Sequence, residues 1–136
     1  MNQPTLRRRH PELPTGRLQI DPSVWFGVDV EIDATGDLTI GRGTCLLHGV
    51  RVLTHTHSNF TGPIEGGLVG PVKNTPVVIG SNVLILEGAV ILPGCRKIAD
   101  WSVVGAYSVL SDSILVPGSV WRGNPAQFLK MRKGFT

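Results

Sequence analysis

Two histidines separated by one residue, in the stretch Val52-Leu53-Thr54-His55-Thr56-His57, are the strongest chemical signal in the chain. In an extended segment, residues two apart share a face, so both rings point outward on one side. An imidazole titrates at about 6.5 in water and can take a proton from a hydroxyl or an amine at neutral pH. A general base beside an acceptor is the chemistry this pair could supply. The plainer alternative is two polar side chains on a wet β surface. The other two histidines carry less signal: His48 reads as a surface residue and His10 as a tail residue.

The elements around the pair follow from a repeat. An aliphatic or aromatic residue recurs every sixth position in four trios: Ile20, Phe26, Ile32; Ile40, Leu46, Val52; Ile79, Ile85, Ile91; Ile98, Val104, Leu110. A smaller set follows four residues later, including Val24, Thr44, Thr56, Val83, Cys95 and Ser108. The register shifts always fall after the third member of a trio. Three hexads make one triangular coil of roughly 18 residues, and such coils stack at about 4.8 Å. The repeat therefore predicts an all-β solenoid of about four coils. All insertions should leave at one corner: Leu38-Thr39, the 58–78 loop, and one extra residue near Lys97. That corner is where variable, functional surface is expected. Gly62, Gly66, Gly67 and Gly70 with Pro63, Pro71 and Pro76 make 58–78 a loop rich in turn residues, long enough to suggest function.

On either side of the 20–120 body lie an irregular segment, 1–19, and a tail, 121–136. The tail should form a short helix, with Asn124 as cap and Pro125 in its first turn. Residues 1–19 hold four arginines against one glutamate, and 121–136 hold Arg122, Lys130, Arg132 and Lys133 with no acid. Basic ends around an acidic body are weak support for nucleic-acid binding, and none is expected. The C-terminal cations could instead meet a phosphate on a small ligand. No apolar run approaches membrane-spanning length. Arg7-Arg8-Arg9 lacks the apolar segment of a signal peptide, so a cytoplasmic location is expected. Two irregularly spaced cysteines suggest neither a disulfide framework nor a zinc site, and Cys95, in an inward slot, reads as a compact hydrophobe.

The hexads Ile40-Gly41-Arg42-Gly43-Thr44-Cys45 and Ile79-Gly80-Ser81-Asn82-Val83-Leu84 resemble hexapeptide repeats. Gly105-Ala106-Tyr107-Ser108-Val109 and the ending Gly123-Asn124-Pro125-Ala126 resemble the last coil and exit of hexapeptide-repeat acetyltransferases, closest to the galactoside and maltose acetyltransferase type. The resemblance covers residues 20–130. It implies a left-handed parallel β-helix and a homotrimer with active sites between subunits. It implies direct transfer from acetyl-CoA to a hydroxyl or amine of a sugar or nucleotide sugar, with no metal. His55 matches the family's catalytic histidine, and His57 becomes a substrate contact. The acetyl-CoA contacts fall on Glu87, Ala106, Ser111 and Lys130. The chain departs from the family in reading Leu84-Ile85-Leu86-Glu87 where a Trp-Ile-Gly followed by a small residue is usual. Two other functions remain open at this point. One is a metalloenzyme like the γ-class carbonic anhydrases, with ligands from His48, His55 and His57 or from neighbours. The other is a non-catalytic trimeric scaffold.

Overall fold

The structure, a computed structural model, describes residues 2–57 and 72–136. The described residues form short strands and no helix. In chain order these are β1 (Thr5–Arg7), β2 (Leu18–Ile20), β3 (Trp25–Phe26), β4 (Glu31–Asp33), β5 (Leu38–Ile40), β6 (Cys45–Leu46), β7 (Arg51–Val52), β8 (His55–His57) and β9 (Val72–Asn74). Then come β10 (Val77–Ile79), β11 (Leu84–Ile85), β12 (Val90–Ile91), β13 (Lys97–Ile98), β14 (Val103–Val104), β15 (Val109–Leu110), β16 (Ser119–Gly123) and β17 (Ala126–Met131).

Three sheets, parallel throughout except for β17, make the faces of a prism. One stacks β1-β4-β7-β12-β15, one β13-β10-β5-β2, and one β17-β16-β14-β11-β6-β3. The pairing register follows the sequence repeat: Ile20 lies on Ile40, Ile40 on Ile79 and Ile79 on Ile98. Phe26, Leu46, Ile85 and Val104 stack in the same way, as do Ile32, Val52, Ile91 and Leu110. These twelve side chains fill the interior, all buried except Ile20. Each strand of the stacked coils aims a large residue inward and turns its neighbour outward, half-buried or exposed, which is why so short a strand suffices. Corners turn through left-handed backbone, taken by glycine at Gly49 and Gly88 and, on the same edge, by Asp29 and Tyr107. Gly88 is needed for a second reason, because a Cβ there would lie 2.4 Å from the Tyr107 ring.

Four details differ from the sequence expectations. Leu38 and Thr39 are not an insertion but part of β5, with Leu38 fully buried beside Ile40. The two extra residues are taken up in the 34–37 connection instead. The 1–19 segment is not wholly irregular, since β1 adds a strand to the exposed edge of β4. The 121–136 tail holds no helix: β17 folds back antiparallel on β16. Six residues make a marginal helix, whereas the last sheet edge offers a row of unpaired backbone groups. Phe128 then meets Trp121 edge-on at 6.2 Å. Finally, Thr56 is only half-buried, and Thr54 holds the buried position where the chain leaves the prism. The extra residue near Lys97 is accommodated by Ser113, whose hydroxyl accepts the amides of both Arg96 and Lys97. Residues 58–71, with all the loop's glycines and Pro63 and Pro71, lie outside the described residues. No described helix is long and apolar enough to cross a membrane.

Candidate active site

The site forms where the chain exits between β7 and β10. After Val52 the backbone turns outward, and β8 pairs antiparallel with β9, His55 opposite Asn74 and His57 opposite Val72. The exit is anchored by Asp33, the residue after the inward Ile32 one coil below. Its side chain is fully buried. Oδ2 accepts the Thr54 amide at 2.9 Å and the His55 ring at Nδ1, 2.5 Å; Oδ1 accepts the Thr35 amide at 3.1 Å. The Thr54 hydroxyl donates to the Asp33 carbonyl at 2.8 Å and accepts the Gly36 amide at 2.8 Å. Gly36 must be glycine for this approach, as a Cβ would stand 2.1 Å from the Thr54 carbonyl oxygen.

Burial pushes the Asp33 carboxyl up, but the hydrogen bonds from Thr54, His55 and Thr35 outweigh it and hold the group below the ordinary carboxylate range. Asp33 is therefore ionised at neutral pH and can only accept. The His55 nitrogen facing it must donate, so the neutral ring carries its proton on Nδ1 and keeps its lone pair on Nε2. That is the tautomer a general base needs.

His55, Thr56 and His57 line a cavity of about 750 Å³. Leu53, Leu92 and Pro93 supply apolar wall, and Ser111 also lines it. Arg9, Lys73 and Arg96 also line it, and no described acidic residue does. Gly94 lets the wall close, since a Cβ there would meet the Ser111 carbonyl at 2.3 Å.

His10, expected to be a tail residue, belongs to this site. Its ring lies 5.0 Å from that of His55 and 5.2 Å from that of His57, and the latter two are 5.6 Å apart. β1 brings it there, with Arg7 in register opposite Asp33. Arg7, Arg9 and Arg51 all pair with Glu31. Arg8 donates to the Pro11 and Leu13 carbonyls and shapes the turn that carries His10.

The expected site residues do not all converge. Ser111 shares the His55 cavity. Glu87 lies in a second, shallower pocket with His48 and Tyr107, and its carbonyl accepts the Tyr107 amide. Ala106 is exposed at the turn before Tyr107, and Lys130 is exposed on β17. His48 accepts the Val28 amide at Nδ1 and meets Trp25 edge-on, so the histidine beside His55 and His57 is His10 and not His48. Sequence reading missed Asp33 and His10. The repeat did hold a signal for Asp33, because the Ile32–Val52 stacking puts it beneath the residues that enter the loop. For His10 there was none.

No family model matches the chain. It is 29% identical over 116 residues to WcaF of Escherichia coli, named for acetyl transfer in colanic acid biosynthesis, a match covering 85% of this chain. It spans only 59% of that relative's length. It is also 32% identical over 125 residues to gamma carbonic anhydrase 1 of Arabidopsis thaliana mitochondria, covering 70% of this chain and 44% of that one. Among solved structures, a maltose O-acetyltransferase from Clostridium difficile is 28% identical, with TM-score 0.67, over 96% of this chain and 67% of that one. AntD, a Bacillus cereus N-acyltransferase seen with dTDP-4-amino-4,6-dideoxyglucose and coenzyme A, shares the fold: TM-score 0.71 at 20% identity, over 87% and 65% of the two chains. The chain is thus related in sequence and in fold to hexapeptide-repeat acetyltransferases of the sugar O- and N-acetyltransferase type.

Proposed function

We propose that the protein transfers an acetyl group from acetyl-CoA directly to a hydroxyl or amine of a sugar, nucleotide sugar or polysaccharide precursor, with His55 as general base. The observation that carries this reading is the Asp33–His55 dyad opening on a cationic cavity. The names of WcaF and the maltose enzyme support the substrate class, and coenzyme A in AntD supports the donor. Nε2 of His55 takes the acceptor proton as the acceptor oxygen or nitrogen attacks the thioester carbon. Asp33 holds the ring in the required tautomer and balances the imidazolium that forms. Collapse of the tetrahedral intermediate expels the CoA thiolate, which takes up the proton. Backbone N–H groups stabilise the oxyanion.

The remaining assignments belong to the same proposal. His57 contacts the acceptor, and Glu87, Ala106, Ser111 and Lys130 contact acetyl-CoA. The fold is a left-handed β-helix of about four coils. It assembles as a trimer with sites between subunits, which would cover the outward Val90 and Val103, half-buried in a single chain. The protein works in the cytoplasm. A thioester-release assay over a panel of sugars, amino sugars and nucleotide sugars tests the reading. Acceptor-dependent release supports it, and release with no acceptor in the panel counts against it.

A further inference from the structure

We propose that His10, His55 and His57 together form a site for a divalent transition metal of the zinc class, and that filling it withdraws His55 from proton transfer. One ring nitrogen from each of the three lies within 4.8 Å of the others. Bonds of about 2.1 Å to a tetrahedral ion set nitrogens roughly 3.4 Å apart, so the rings need move by only about an ångström. All three are half-buried, which leaves them that freedom while keeping the donors out of bulk water.

The surroundings are built as a metal site requires. His55 donates a hydrogen bond from Nδ1–H to buried Asp33, and His10 has Nδ1 against a Glu12 carboxylate oxygen at 3.3 Å. Carboxylates behind ligand rings fix the tautomer and turn Nε2 toward the ion. Three imidazoles with no carboxylate bound directly to the ion suit zinc, cobalt, nickel or copper and do not suit magnesium or calcium. The consequence for catalysis is geometric: the lone pair that would accept the acceptor proton is the one given to the metal.

The binding claim stands apart from the acetyltransferase reading; only the inhibition rests on it. Protein stripped with chelator is titrated with Co²⁺ and then Zn²⁺, read by visible absorption and calorimetry. One equivalent per chain is expected, with Co²⁺ bands that Zn²⁺ displaces. His10→Ala and His57→Ala should lose stoichiometric binding, Asp33→Asn should weaken it by about 10–100-fold, and His48→Ala should keep it. Circular dichroism verifies that each variant is folded. Unchanged binding in folded His10→Ala, or no binding by the parent chain, overturns the site. In the activity arm, stripped protein should be fully active and one equivalent of Zn²⁺ should suppress transfer, with recovery on chelation. If transfer persists with Zn²⁺ bound, the inhibition is wrong. If metal binds but stripped protein has no acetyltransferase activity, the site stands and the functional reading falls.

Discussion

Replacing Asp33 by asparagine removes a charge and almost no volume, so it separates electrostatics from packing. The carboxylate accepts three N–H donors, one on Oδ1 and two on Oδ2. Asparagine has one acceptor oxygen. Placed at the Oδ2 position, it keeps Thr54 and His55 and turns its NH₂ against the Thr35 amide. The opposite orientation sets NH₂ against two donors, so the first is preferred. His55 then keeps its proton on Nδ1 and can still act as a base, but the imidazolium loses its counter-charge. At an effective dielectric of about 20, unit charges about 5 Å apart attract by roughly 3 kcal/mol. With each 1.36 kcal/mol worth about tenfold, kcat should fall on the order of 10²-fold. If the amide flips, His55 carries its proton on Nε2, and the loss approaches the ~10⁴-fold seen when the Ser-His-Asp triad holds the wrong tautomer.

The assay is thioester release at saturating acetyl-CoA with the acceptor that the panel identifies. The KM for acetyl-CoA should change little. One unsatisfied buried amide costs about 1–3 kcal/mol, so the urea midpoint should drop while the fold survives. A folded Asp33→Asn protein with kcat within about threefold of the parent would refute the dyad, whatever His55 does.

Other substitutions probe the remaining parts. His55→Ala should lower kcat by ~10²–10⁴-fold, and His57→Ala should act mainly on acceptor KM; the reverse pattern would move the base two residues along β8. Burial pushes the Cys95 thiol up to about 12, so a thiol reagent at pH 8 should label only half-buried Cys45 in native protein and both cysteines in denaturant. The same shift has a sign for stability: an unfolded thiol ionises at about 8.5 while folded Cys95 stays neutral, so stability should decline as pH rises from there toward 12, and Cys95→Ala should remove that decline. Gly36→Ala drives a methyl into the Thr54 carbonyl and should destabilise by about 1–3 kcal/mol, seen as a lower urea midpoint.

The fold was legible because the solenoid writes its register into the sequence. A coil places Ile32 on Val52 and Val52 on Ile91, and each inward residue can be read from the one six positions away. Such reading stops where the repeat stops. Residues 126–131 contain enough apolar side chains to suggest a helix, and nothing local shows that the free edge of β16 will pair with them instead. Thr54 and Thr56 are equivalent in composition. Only the outward turn, tied down by the bond from Thr54 to Asp33, decides which of them is buried.

The site was half legible for the same reason. His55 and His57 are two apart on one strand, so local geometry alone puts them on one face. Asp33 reaches His55 through the stacking of successive coils, 22 residues apart in the chain, and is recoverable once the register is trusted. His10 reaches the pair through a strand that adds itself to the edge of the first coil, a pairing with no period to announce it. Beside the backbone pairing of β1 with β4, Arg51 from the second coil meets Arg7 and Arg9 from the added segment on the Glu31 carboxylate. An arginine run that looks like a solvated tail thus belongs to the strand and turn that deliver a third histidine. Arg7 and Arg9 have a place within the chain, where they share the Glu31 carboxylate with Arg51. Removing residues 2–10 should therefore leave the stacked core intact and take away the metal affinity of the histidine cluster.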